Sequence, residues 1–265
     1  MSVEVIERGW PFMKRKLPFL YAALVPLLFL CILTARGVEI KTETVTFPSG
    51  KETVSGFLAT PEKAGRYPGV IVIHEWWGLN DWVKEQTRKI ADQGYVALAV
   101  DLYRGKTATD PMEAHELSRM PKDRAVGDLL AAYAYLSARS DVNGDRIGSV
   151  GWCMGGGYSL ELAMHQPRLA ACVVNYGELP TDPNDIQQII APLLGNFGAE
   201  DRGITPADVH AFEKSMQTMH RRVDIKIYQG AGHAFENPNN QTGYRPEAAA
   251  DAWTRTITFL NKTLK

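Results

Sequence analysis

The chain has 265 residues, of which 45% are hydrophobic and 22% are charged, a composition ordinary for one globular domain with a sizeable core. Its formal net charge is −1, so no basic surface for nucleic acid is expected. The three cysteines, at positions 31, 153 and 172, are odd in number and far apart, which excludes a disulfide framework and the usual zinc spacings.

The N-terminal segment differs in composition from the rest of the chain. Residues 17–35 carry no charge and follow a basic stretch that ends at Lys16, an arrangement that directs export. We therefore predict that residues 1–37 are a signal peptide or a retained membrane anchor. Residues 38–265 would then form an exported domain that is periplasmic, secreted or held at the membrane by residues 17–35. A core helix is the third interpretation of this segment, although its basic flank and two prolines fit that poorly.

The rest of the chain alternates between patterns typical of strands and of helices. Residues 39–47 and 53–59 alternate around the turn at 48–51, which predicts an antiparallel hairpin. Apolar runs predict further strands at 67–74, 95–101, 146–151, 169–175, 192–197 and 224–228, and periodicity predicts helices at 80–93, 123–139, 206–220 and 247–260 and one ending near 165. Residues 105–121 are polar and contain prolines, which predicts a surface excursion. This order predicts an α/β fold with a mainly parallel central sheet, an antiparallel edge hairpin and helices on both faces.

A cysteine lies at the junction between a predicted strand and a predicted helix. In Gly151-x-Cys153-x-Gly155, the glycines permit the sharp turn that exposes a nucleophile at the end of a strand. The thiol would lie at a helix N-terminus, which favours the thiolate, and the Met154 amide would point to where a tetrahedral oxyanion forms. The alternative is a packed cysteine in a glycine-rich turn, and Cys172, within an apolar strand, is predicted to be such a core residue.

Three ionisable residues follow other predicted strands: Glu75, Asp201 and His233. Functional side chains of parallel sheets lie beyond the carboxyl ends of the strands, so we expect these three side chains to lie close to Cys153. The order nucleophile, acid, histidine is typical of hydrolases with a nucleophile elbow, and it predicts a Cys-His-Asp triad. Glu75 leaves a buried strand beside two tryptophans, an unfavourable place for a carboxylate unless it is paired or functional.

These residues lie in motifs that resemble those of the dienelactone hydrolase (carboxymethylenebutenolidase) family of α/β hydrolases. The resemblance covers residues 40–262 and rests on H-E-x-x-G-L-N from 74, D-L-Y from 101, G-x-C-x-G-G from 151, G-x-E-D from 198 and G-x-G-H-x-F from 230. It implies the α/β-hydrolase fold. It also implies hydrolysis of an unsaturated lactone or ester that carries a carboxylate, through a thioester acyl-enzyme and without a metal or an organic cofactor.

The resemblance further implies a role for each site residue. Cys153 is the nucleophile and His233 its base, while Asp201 orients the histidine. Glu75 controls the ionisation of the thiol, and Trp76 contributes the second oxyanion amide.

The substrate-binding residues depart from the family pattern. The family has an arginine shortly after the histidine, where this chain has Asn237, and a second arginine one residue later than Arg104. Recognition of a substrate carboxylate therefore depends on Arg104 or on Arg202. The other predicted substrate contacts are aromatic and indicate an apolar acyl group: Trp77, Tyr103 and Phe235.

Two functions of other classes are compatible with the sequence. An exported redox-active thiol protein would use Cys153 as its oxidisable group, although the sequence offers no evident resolving cysteine. A non-catalytic binding domain would use the same fold without turnover. We expect a monomer whose partner is a small-molecule lactone or ester and which contacts a membrane only through an uncleaved N-terminal segment.

Overall fold

The computed structural model describes residues 39–265. The predicted signal peptide or anchor at 1–37, with its apolar run and Cys31, lies outside the described residues, and the predicted domain boundary therefore stays a prediction. Within the described part of the chain, no helix is both long enough and apolar enough to cross a membrane.

Residues 39–265 contain one sheet of eight strands. In chain order these are β1 (Ile40–Ser49), β2 (Glu52–Pro61), β3 (Tyr67–Ile73), β4 (Val96–Val100), β5 (Val142–Trp152), β6 (Ala171–Asn175), β7 (Leu193–Gly198) and β8 (Val223–Tyr228). The order across the sheet is β1-β2-β4-β3-β5-β6-β7-β8. β2 pairs antiparallel with both β1 and β4, and the other neighbours are parallel. The predicted mainly parallel sheet with an antiparallel edge hairpin is confirmed.

Helices cover both faces of this sheet. They are α1 (Asp81–Asp92), α2 (Pro111–Ser118), α3 (Lys122–Ala138), α4 (Met154–His165), α5 (Pro183–Ile186), α6 (Pro206–Thr218) and α7 (Pro246–Leu264). Buried residues of α3, α4 and α6 pack in the hydrophobic cluster on one face, and those of α1 and α7 pack in the cluster on the other.

Strand β3 shows why the apolar runs form central strands. Ile71 and Ile73 belong to the first cluster, whereas Val70 and Val72 belong to the second, as the two-residue repeat of a strand requires. Burial of such a side chain contributes about 1.5–3 kcal/mol. A strand that is apolar on both faces is therefore held at the centre of the sheet, and its carboxyl end is fixed in position.

The predicted surface excursion at 105–121 is mostly exposed, as expected, and it contains a helix, α2, that the sequence analysis did not predict. Asp110 accepts hydrogen bonds from two amides of the first turn, and Pro111 occupies that turn. Asp182 and Pro183 begin the short helix α5 in the same way. Proline is favourable in a first turn, where its missing N–H has no intrahelical acceptor, so these prolines begin helices rather than interrupt them.

Candidate active site

Cys153 lies in the turn between β5 and α4. Its backbone has φ 55° and ψ −121°, a conformation that is strained for a residue with a side chain. A Cβ atom on Gly151 would collide with the carbonyl of Gly155, and one on Gly155 would collide with the carbonyls of Ile73 and His74. The glycines therefore allow the turn to pack closely against the end of β3, and the thiol lies at the carboxyl edge of the sheet.

His233, in the loop after β8, lies between a thiol and a carboxylate. Its Nε2 is 3.1 Å from Sγ of Cys153, and its Nδ1 is 2.7 Å from Oδ2 of Asp201. Asp201 follows β7 and is buried. Its other oxygen accepts hydrogen bonds from the amides of Gly203 and Ile204, at 2.9 and 3.1 Å. The structure thus brings three residues predicted from the sequence into one hydrogen-bonded chain.

The charges of Asp201 and Cys153 raise the pKa of His233, and His233 in turn lowers the pKa of Asp201. Burial lowers the pKa of His233, but hydrogen bonds to Asp201 and Cys153 and the charges of both groups raise it to about 10. Burial raises the pKa of Asp201, but the hydrogen bond from His233 and those from the two loop amides hold it below its ordinary value. At neutral pH the imidazole of His233 is therefore protonated.

The amides of Met154 and Trp76 lie beside the same cavity as Cys153. Both residues line this cavity, whose volume is about 640 Å³. Neither amide donates a hydrogen bond to another group within residues 39–265. For Met154 the reason is its position at the start of α4, where the amides have no intrahelical acceptor. Neither amide is therefore occupied by an acceptor within the described residues.

The buried side chain of Tyr103 contacts both Trp76 and Met154. It was predicted to contact substrate, but it is buried and does not line the cavity. Its hydroxyl donates to the carbonyl of Trp76 at 3.1 Å and lies 3.2 Å from the sulfur of Met154. Tyr103 thus joins the loop after β3 to the start of α4.

Glu75 is buried just after β3, and its partners are neutral. Its Oε2 accepts a hydrogen bond from Nδ2 of Asn237 at 2.6 Å, and its Oε1 accepts one from the hydroxyl of Tyr176 at 3.4 Å. Burial raises the pKa of Glu75 to about 7, although the Asn237 hydrogen bond and the charge of His233 oppose this shift. Cys153 is not among its hydrogen-bond partners in the described residues, so Glu75 does not touch the thiol directly.

Comparison with known proteins identifies the family. Residues 54–264 match the dienelactone hydrolase family. The chain belongs to the dienelactone hydrolase family. It is 32% identical, over 83% of its length and 94% of the relative, to a Bradyrhizobium sp. protein assigned as a 2-oxo-3-(5-oxofuran-2-ylidene)propanoate lactonase. It is 31% identical, over 83% of its length and 98% of the relative, to a Saccharolobus solfataricus protein assigned as a carboxymethylenebutenolidase.

A solved structure gives the same assignment. The crystal structure of a Klebsiella pneumoniae protein assigned as a dienelactone hydrolase matches with a TM-score of 0.78 at 27% identity, covering 84% of this chain and 99% of the other. The predicted family and the predicted α/β-hydrolase fold are confirmed, and the chain is a member of a carboxymethylenebutenolidase-like hydrolase family.

Asn237, where the sequence analysis predicted a departure from the family pattern, lies beside Glu75. The family resemblance places an arginine at the position of Asn237. Here Asn237 is buried and donates to Glu75, so it keeps a contact with the glutamate while contributing no positive charge.

The two arginines predicted to bind a substrate carboxylate do not line the cavity. Arg104 forms ion pairs with Asp128 at 2.8 Å and with Glu52 at 3.0 Å. These two carboxylates hold its guanidinium between β2 and α3. Arg202 is exposed on the loop after Asp201.

Trp77 and Phe235, the other predicted contacts, also lie outside the cavity wall. Phe235 is fully buried and packs edge-on against Tyr176, with 5.5 Å between ring centroids. Trp77 packs edge-on against Trp76 at 5.0 Å. The aromatic residues that line the cavity are Trp76, Tyr158 and Tyr176.

Sequence reasoning missed two residues of the site. Tyr176 directly follows β6, packs edge-on against His233 at 5.3 Å and donates to Glu75. Glu236 accepts a hydrogen bond from the indole of Trp152 at 3.0 Å, and its other oxygen is buried without a partner in the described residues. Burial raises the pKa of Glu236 to about 8, and the charge of Glu75 acts in the same direction. Both residues could have been found from their positions in the sequence. Tyr176 directly follows the predicted strand that ends at 175, and Glu236 directly follows the motif that contains His233.

The described residues place no second thiol in contact with Cys153. Within residues 39–265 the other cysteine is Cys172, which is fully buried. Its sulfur lies 3.4 Å from Oγ of Ser159, and burial raises its pKa to about 11. As predicted from the sequence, Cys172 is a core residue, and it offers no resolving thiol for a redox cycle.

Proposed function

We propose that this protein hydrolyses lactones or carboxylic esters through a thioester acyl-enzyme formed on Cys153. The observation that carries the proposal is the hydrogen-bonded chain from Asp201 through His233 to Cys153, with distances of 2.7 and 3.1 Å. The thiol opens into a cavity of about 640 Å³, a size suited to a small-molecule substrate. A positioned nucleophile, its base and an orienting carboxylate are the components that acyl transfer requires.

Acylation begins when the thiolate of Cys153 attacks the substrate carbonyl carbon. The carbonyl π electrons move to oxygen, which accepts hydrogen bonds from the amides of Met154 and Trp76. The carbonyl then re-forms as the bond to the alcohol oxygen breaks. Protonated His233 transfers its Nε2 proton to that oxygen. With a lactone, the alcohol stays attached to the acyl chain.

Deacylation uses the neutral imidazole left by the first step. His233 takes a proton from a water molecule, whose oxygen attacks the thioester carbonyl. The carbon–sulfur bond breaks, which releases the carboxylic acid and restores the thiolate beside the imidazolium. Asp201 keeps the ring in the same orientation throughout and stabilises its positive charge.

Glu75 is proposed to act on the thiol through His233. Its charge favours the protonated imidazole, and Tyr176 packs between the two groups, with its hydroxyl on Glu75 and its ring against His233. Glu75 is therefore a positioning residue for the protonation state of the site.

We also propose that the enzyme acts outside the cytoplasm. The support is the uncharged run 17–35 with basic residues before it, which is the pattern of an export signal or anchor. Cell fractionation followed by N-terminal sequencing distinguishes a cleaved signal peptide from a retained anchor, and a cytoplasmic chain with an intact N-terminus contradicts the proposal.

Substitution of Cys153 tests the mechanism. We expect Cys153→Ala to lower kcat/KM for p-nitrophenyl esters and enol lactones at least roughly 10³-fold. Mass spectrometry of acid-quenched wild-type enzyme should find the acyl group on the peptide that contains Cys153. The matched control is Cys172→Ala, which removes a buried thiol away from the cavity and should keep turnover. Substantial hydrolysis by the Cys153→Ala variant contradicts the proposed mechanism.

A further inference from the structure

The wall of the active-site cavity is acidic. Apart from His233, its charged residues are four acids and one lysine: Lys122, Glu161, Glu178, Asp182 and Asp185. The acids exceed the single lysine by three negative charges. No arginine is among the described residues that form this wall.

One face of α4 carries the first acid towards the cavity. Met154, Gly157, Tyr158, Glu161 and Met164 all line it, as expected for positions three or four residues apart on a helix. At 1.5 Å per residue, Glu161 lies about 10 Å along the helix axis from Met154. The far end of an extended six-carbon acyl chain that follows this face would lie between the nucleophile and the level of Glu161.

Lys122 does not neutralise the wall. Its ammonium group pairs with Glu161, whose side chain is 15% exposed while that of Lys122 is 63% exposed. The pKa of Lys122 is raised by the hydrogen bond to Glu161, and the charge of Asp185 acts in the same direction. The positive charge of Lys122 is thus already balanced by Glu161 and influenced by Asp185.

The other acids lie on the segment after β6 and remain exposed. Glu178 is exposed in the loop. Asp182 caps α5 by accepting a hydrogen bond from the amide of Asn184 at 2.8 Å, and Asp185 lies in the first turn of that helix. Arg124 is a cation close to this region, but its guanidinium donates to the carbonyl of Leu102 at 3.0 Å and does not line the cavity.

From this arrangement we infer that the active site selects uncharged or cationic esters and lactones, and that substrates bearing a carboxylate are poor. The inference rests on the proposed function, since it concerns the acyl group that Cys153 receives. A substrate carboxylate would approach several carboxylates at a wall whose lysine is already paired, whereas an ammonium group would be attracted. Salt screens such exposed charges, so the preference weakens as ionic strength rises.

The charge preference can be measured on the thiol itself, without turnover. Full-length protein is labelled with methanethiosulfonate reagents that carry a trimethylammonium group, no charge or a sulfonate, and Cys153→Ser corrects for reaction at other cysteines. Relative to a small free thiol, we expect the cationic reagent to outpace the anionic one by at least about tenfold at low salt. The triple variant Glu178→Gln, Asp182→Asn, Asp185→Asn should reduce this ratio several-fold, and asparagine preserves the cap of α5.

A matched control removes the same charge from a distant surface. Glu39→Gln, Glu43→Gln and Glu62→Gln change exposed residues that do not line the cavity, and together they should leave the ratio unchanged. Equal labelling rates for the two charged reagents, or a ratio that responds equally to both triple variants, overturns the inference.

Hydrolysis of matched esters separates this inference from the proposed function. p-Nitrophenyl esters of 6-aminohexanoic, hexanoic and adipic acids differ only at the end of the acyl chain. We expect kcat/KM to fall in that order, and a preference for the adipate monoester overturns the inference while leaving the mechanism intact. Charge-selective labelling without hydrolysis of any ester supports the charge preference and contradicts the proposed function instead.

Discussion

The buried carboxyl of Glu75 makes the stability of the folded chain depend on pH. Its folded-state pKa is about 7 against an ordinary value of 4.5, so between these pH values the folded chain holds a proton that the unfolded chain has released. Stability contributed by the neutral carboxyl is therefore complete below pH 4.5 and is lost as the pH rises to about 7. At about 1.4 kcal/mol per pH unit, the free energy of unfolding falls by about 3 kcal/mol across this window.

Glu75→Gln removes this titration while keeping similar shape and hydrogen-bonding capacity. A glutamine oxygen can still accept from Asn237 and stays neutral at every pH. We expect the variant and the wild type to have similar free energies of unfolding at pH 4.5. Above pH 7 the variant should be more stable by about 3 kcal/mol. Its activity should fall at the same time, because the negative charge that favours protonated His233 is gone, a trade common at active sites.

Urea unfolding from pH 4 to pH 9 measures this difference. The matched control is Glu178→Gln, an exposed carboxylate on the wall of the same cavity, which should leave the pH dependence of the wild type unchanged. Parallel stability curves for Glu75→Gln and the wild type, or a variant less stable at pH 8, would refute the reasoning. Such a result would mean that Asn237 and His233 stabilise the Glu75 carboxylate by more than burial disfavours it.

Two further substitutions test contacts around the nucleophile. Tyr103→Phe removes the hydroxyl between Trp76 and Met154; we expect kcat to fall about tenfold with KM little changed and the unfolding free energy to fall by about 1 kcal/mol. A change confined to KM would contradict that role. Asp201→Asn removes the charge that helps raise the pKa of His233 to about 10, so this pKa should fall towards 6.5 in an NMR titration and kcat should fall roughly 10³- to 10⁴-fold. An unchanged imidazole pKa would contradict the assignment.

The parts of the fold that were predicted correctly depend on local patterns. Runs such as 67–74 and 95–101 are apolar at every position because both faces of the strand are buried, and such runs form the parallel core. Helices α2 and α5 were missed because Pro111 and Pro183 were not recognised as first-turn residues. Short helices of this kind depend on a cap and a proline, which look the same in sequence as the start of a loop.

The residues of the candidate site could be proposed from the sequence because the turn around Cys153 carries a local requirement. The sharp turn at Cys153 requires Gly151 and Gly155, because a Cβ atom at either position would collide with backbone atoms. This requirement is visible in the sequence without knowledge of the rest of the fold. The position of Arg104 was less predictable, because its partners Asp128 and Glu52 are 24 and 52 residues away in sequence. The cavity wall likewise comes from separate segments that meet only in the folded chain.

The charged groups of the site bear on both its substrate preference and its pH dependence. Around the nucleophile, protonated His233 is the positive charge that acts on both Asp201 and Glu75, and Asn237 donates a neutral hydrogen bond to Glu75. Burial raises the pKa values of two carboxyls, Glu75 and Glu236, to about 7 and about 8. A substrate carboxylate would add another anion to this group, whereas a neutral or cationic acyl chain would not. Burial raises the pKa of Glu75 to about 7 while Asn237 beside it contributes no charge, and the acidic cavity wall is the separate basis of the proposed preference against anionic substrates.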